Sequence, residues 1–123
     1  MERLFNWVEI LVKDMARATR FYAEILGGAT LRDVQLGQLR YALFPTADTF
    51  NAGALARGTS YEPSERGVVV YLNGGRDFNR ALNRVAAAGG RILAQKTKVS
   101  SEADCIGLFL DLEGTRIGLH NPV

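Results

Sequence analysis

Hydrophobic and polar positions along this chain follow one plan twice. Residues 6–28 run NWVEILVKDMARATRFYAEILGG, and residues 67–90 run GVVVYLNGGRDFNRALNRVAAAGG. Each is an apolar stretch, an aspartate, apolar residues at helical spacing and a glycine pair. Asp14, Arg17, Ala18 and Gly27-Gly28 in the first copy are answered by Asp77, Arg80, Ala81 and Gly89-Gly90 in the second. A repeat of this kind sets architecture before any single residue does.

Leu4 to Val12 is rich in β-branched and aromatic residues and reads as a strand. Side chains alternate along it, so Val8, Ile10 and Val12 share one face and Trp7, Glu9 and Leu11 the other. Asp14 is a helix N-cap. Met15, Ala18, Tyr22 and Ile25, with Leu26, form the apolar stripe of the helix it opens. Strands follow at about 29–36, 39–44 and 52–56. The polar segment 57–66, RGTSYEPSER, is a linker. The second copy predicts a strand at about 67–73 and a helix capped by Asp77 with the stripe Phe78, Ala81, Leu82 and Val85. Strands at about 91–98, 104–111 and 115–120 complete it, the last two joined by a tight turn at Asp111-Leu112-Glu113-Gly114. The order is βαβββ twice. The expected fold class is α+β, with the two units forming a curved, barrel-like mixed sheet around a cleft and the helices outside. Residues 1–123 make a single domain, with repeats at about 1–57 and 66–123.

Composition narrows the function classes. The chain has 123 residues, 47% of them hydrophobic, enough for one packed core. The net charge is +2 and the basic residues are scattered, which argues against a nucleic-acid partner. The single cysteine, Cys105, excludes an intramolecular disulfide and reads as a buried, inert thiol. Met1-Glu2-Arg3 leads into a strand with no apolar signal core, and no apolar run is long enough to span a bilayer. The expectation is a cytoplasmic protein with no membrane partner. Asp14 and Asp77 are caps rather than catalysts, and the glycine pairs follow helices, the wrong context for a dinucleotide loop.

The paired βαβββ plan resembles the vicinal oxygen chelate superfamily, which includes glyoxalase I, extradiol dioxygenases, fosfomycin-resistance enzymes and bleomycin-resistance proteins. Its most specific pieces are the segment Trp7 to Asp14 followed by Arg17, Ala18 and Phe21-Tyr22, and the closing hairpin DLEGTRIGLHNP, residues 111–122. The resemblance implies four metal-ligand positions, one on the first and last strand of each repeat. They fall on Trp7, Gly53, Val69 or Val68, and Gly118. None of these side chains is a metal donor. The expectation is therefore a cleft with no metal cofactor. The resemblance also implies a homodimer, whose cleft forms within one chain or between two.

Two ionisable residues share the inner face with those positions. Glu9 lies two residues after Trp7, and His120, the only histidine, two after Gly118. As a catalytic pair they would suit general acid–base chemistry, lyase or isomerase in type. Tyr71, the repeat partner of Glu9, together with Trp7, Asn51 and Arg116, are candidate contacts for a small-molecule ligand. Two further readings stand beside this one. The cleft could bind or sequester a small molecule or antibiotic without chemistry, with Trp7 and Tyr71 stacking on it. Alternatively, Glu9 and His120 could themselves hold a divalent metal, with a third ligand from a loop residue such as Glu62.

Overall fold

The computed structural model describes residues 4–46, 52–99 and 104–121. The first unit comprises β1 (Val8–Leu11), α1 (Met15–Ile25), β2 (Arg32–Leu36), β3 (Leu39–Leu43) and β4 (Gly53–Arg57). The second comprises β5 (Val70–Asn73), α2 (Phe78–Ala87), β6 (Arg91–Lys98), β7 (Cys105–Leu110) and β8 (Arg116–Asn121). This is the α+β fold of two βαβββ units that the repeat predicts. Each unit closes its own curved, four-stranded sheet, in the orders β1-β4-β3-β2 and β5-β8-β7-β6. In both, the strand before the helix pairs in parallel with the last strand of the unit.

Both helices start for the same local reason. Asp14 Oδ1 accepts from the Arg17 N–H and Asp77 Oδ1 from the Arg80 N–H, each at 3.1 Å. Each cap satisfies one of the donors a helix start leaves free. The helices bury Ala18, Phe21, Tyr22 and Ile25 on one side, and Phe78, Ala81, Leu82 and Val85 on the other. These meet Ile10, Val12, Leu55, Phe109, Ile117 and Leu119 from the two sheets in one core. Each large apolar side chain removed from water there contributes about 1.5–3 kcal/mol. Cys105 is buried. β1 and β5 are shorter than the apolar runs that contain them. Leu4, Phe5 and Val68 lie outside the ladders and are 75%, 76% and 90% exposed.

Polar contacts from the β7–β8 turn join the units. Glu113 accepts the backbone N–H of Lys13 at 2.7 Å and of Asp14 at 3.1 Å, at the start of α1. Asp111 is buried and accepts from Tyr22 Oη at 2.6 Å and from the N–H groups of Glu113 and Thr115, both at 2.9 Å. The second repeat thus caps and anchors the helix of the first.

Candidate functional site

Register decides which side chains face away from the helices. Ile10 pairs with Leu55, both in the core, so Glu9 and its partner Ala54 point to the inner face. Tyr41 pairs with Ala56 and points the same way. Ala54 and Ala56 form a floor of small residues on β4, flanked by Glu9 on β1 and Tyr41 on β3. Larger groups close over this floor, and both alanines are fully buried.

Those groups gather on one carboxylate. Trp7 Nε1 donates to Glu9 Oε2 at 3.0 Å. The hydroxyls of Tyr41 and of Tyr61, from the linker, donate to the same carboxylate. Both phenols are pushed above their ordinary pKa, first by that hydrogen bond, then by burial and by the charge of Glu9. Trp7 and Tyr41 meet edge to face, with centroids 6.1 Å apart and planes at 82°. Glu9 therefore sits among three neutral aromatic donors.

The other expected residues lie apart from this cluster. Tyr71 lies over Gly118, its register partner on β8, as Glu9 lies over Ala54. A Cβ on Gly118 would come within 2.3 Å of the Tyr71 ring. Arg116 pairs with Glu65 at 3.0 Å. His120 Nε2 stands 3.5 Å from Asp104 Oδ2 in the second sheet. Among the described residues no hydrogen bond or ion pair joins Glu9 to His120. Glu62 pairs with Lys13 at 2.9 Å. Asn51 lies outside the described residues.

Gly53 requires a correction. It is the register partner of Val8 and shares the parity of Leu55, so it faces the helices. The inner-face counterpart of Gly118 is Ala54. Sequence spacing sets residues 50–55 against 115–120, whereas the ladder bonds Val12 N–H to Ala56 O and Gly74 N–H to His120 O move that alignment by one residue. Alanine offers no metal donor either. Trp7, Ala54, Val69 and Gly118 do not fit a divalent ion, and the described residues contain no group of three His, Cys, Asp or Glu able to hold one.

Cavities flank the seam between the units. One of about 360 Å³ is mainly apolar, with Val8, Phe44, Val70, Tyr71 and Leu72 among its walls. A smaller one, about 180 Å³, is bordered by Glu9, Glu62, Arg66, Val68 and Thr115. The buried Thr115 Oγ1 has no hydrogen-bond partner among the described residues. A larger cavity, about 710 Å³, lies on the helix side of the first sheet, beside Lys13, Asp33, Arg40 and Arg57. Among the described residues, none of those expected at the site lines it.

Sequence reasoning missed Tyr41 and Tyr61. The alternation Gly53-Ala-Leu-Ala-Arg57 held a signal for the first, since small residues at every second position leave room for something large above. Tyr61 is in a polar linker with no periodicity, and nothing local marks it.

No helix among the described residues is long and apolar enough to cross a membrane. Comparison with curated proteins finds no match. Among solved structures the chain resembles UcmS2, with 22% identity, a TM-score of 0.71, and coverage of 99% of this chain and 100% of that one. It also resembles a glyoxalase/bleomycin resistance protein from Albidiferax ferrireducens T118, with 16% identity, a TM-score of 0.69, and 98% and 100% coverage. Glyoxalase I from Zea mays matches at 24% identity and a TM-score of 0.66 over 94% of this chain, which spans only 45% of the maize protein. At these identities the likeness is one of fold. The model of the Glyoxalase/Bleomycin resistance protein/Dioxygenase superfamily matches residues 4–119. The chain belongs to that superfamily.

Proposed function

We propose that the protein binds and sequesters a small organic molecule at the inner face of its first sheet, with no metal cofactor and no turnover. One observation carries this reading: the Glu9 carboxylate is held by Trp7, Tyr41 and Tyr61 rather than by His120. A general base needs a free lone pair and a route for its proton. Trp7, Tyr41 and Tyr61 engage this carboxylate instead, and His120 stands beside Asp104. The Trp7 ring, braced edge to face by Tyr41, instead supplies contact area at low entropic cost. Trp7 is 41% exposed and so available to a ligand. The same reading takes the protein to be a cytoplasmic homodimer.

The test is a thermal-shift screen of metabolites and drugs in excess EDTA, with each hit recovered and weighed by mass spectrometry. The expected result is saturable stabilisation by a ligand recovered unchanged. Recovery of a product, or stabilisation that appears only with added Zn²⁺, Ni²⁺, Mn²⁺ or Fe²⁺, would overturn the reading.

A further inference from the structure

We infer that the Glu9 cluster is a receptor for an organic cation, a ligand carrying a quaternary or protonated amine. The inference rests on the ligand-binding reading above and names the chemical class of its ligand. Glu9 is half-buried and negative, and all three groups that donate to it are neutral. No cation among the described residues compensates it. Lys13 is held by Glu62, Arg40 by Asp33 and Arg116 by Glu65. Arg66 borders the same small cavity but forms no ion pair with Glu9. A carboxylate withdrawn from water normally has a charged partner.

The surroundings favour one kind of partner. Aromatic faces carry a negative quadrupole and attract cations in the same sense as the carboxylate, tryptophan most strongly. Glu62 also borders the cavity, with its charge already balanced by Lys13, which leaves Glu9 as the unpaired carboxylate there. Thr115 borders this cavity too. An anionic ligand would meet repulsion, and a neutral one would leave Glu9 uncompensated. A bare divalent ion needs several oxygen or nitrogen donors, which ring faces do not provide. An alkylammonium group asks only for diffuse negative potential and apolar contact. The overall charge of +2 is no guide here, because local potential is set by the nearest groups.

Trp7 is the only tryptophan, so intrinsic fluorescence reports on this site alone. The experiment titrates choline and its uncharged carbon analogue, 3,3-dimethylbutan-1-ol, at constant ionic strength. Choline is expected to change the emission saturably and to bind at least about tenfold more tightly than the alcohol. Glu9→Gln, with folding verified by circular dichroism, is expected to abolish that preference. The wild-type comparison stands even if the variant does not fold. Equal affinity for the two probes, no response to either, or a preference that survives in folded Glu9→Gln would overturn the inference. If a neutral aromatic compound from the screen bound at Trp7 while choline did not, the cation assignment would fall and the ligand-binding reading would remain.

Discussion

Asp111 is buried with three hydrogen bonds, yet burial still raises its carboxyl above the ordinary value of 3.8, outweighing the lowering contributed by Tyr22 and two backbone N–H groups. The folded chain therefore holds this proton more tightly than the unfolded chain. Its contribution to stability grows as pH falls through the folded value and is lost as pH rises through it. Measured by urea unfolding, the stability of wild type relative to Asp111→Asn is expected to rise between about pH 7 and about pH 4. A flat difference would show that the Asp111 carboxyl is not shifted. Tyr22→Phe removes one donor to a buried carboxylate and is expected to cost about 1.5–3 kcal/mol at unchanged m-value. At this scale the sequence was legible where one element decides the outcome. Asp14 and Asp77 cap helices because the bond they make spans three residues. It was not legible where partners come from far away. Asp111 looked like a turn residue, and its bond to Tyr22 crosses 89 positions. The shared inner face makes Glu9 and His120 a candidate pair, but besides Trp7 the companions of Glu9 are Tyr41 and Tyr61, which only register and the path of the linker bring to it.

Two glycines show how elements meet. A Cβ on Gly53 would lie 2.2 Å from the carbonyl oxygen of Val8, so only hydrogen lets β4 approach β1 this closely. The obstacle is backbone on a parallel partner and cannot turn aside. On Gly118 the obstacle is the half-exposed Tyr71 ring, which can. Gly53→Ala is therefore expected to cost about 1–3 kcal/mol or more and to loosen the Glu9 cluster, seen as a red shift of Trp7 emission. Gly118→Ala is expected to cost less and to displace Tyr71. Thermal denaturation of both variants decides the point, and equal losses would refute it. Helix faces were readable in advance, because the stripe Phe78, Ala81, Leu82 and Val85 depends only on the period of one helix. Strand faces were readable within β1 for the same reason. The alignment of β4 with β8 was not, since a one-residue slip reverses every side chain and only inter-strand bonding fixes it.

At the scale of the whole molecule, most of the exposed large apolar side chains among the described residues lie where the two inner edges begin. Leu4, Phe5 and Trp7 precede or open β1, and Val68 and Tyr71 lie at β5. The outer edge strands expose single apolar residues, Leu36 in β2 and Val99 after β6, among Arg32, Asp33, Lys96 and Lys98, charges of the kind that discourage edge pairing. A single chain leaves the apolar set in water, and a two-fold partner could cover it with the same surface from its own copy. Sedimentation equilibrium is expected to give twice the 13.5 kDa chain mass. Phe5→Asp combined with Val68→Asp is expected to shift the protein toward monomer while circular dichroism stays unchanged, because neither residue belongs to the core. A monomeric wild type, or a double variant that remains dimeric, would exclude this surface as the contact. The outcome bears on the ligand too. Trp7 stands beside Phe5, so a dimer through this face would narrow the entrance to the Glu9 cluster, and ligand affinity should then fall as the dimer dissociates on dilution.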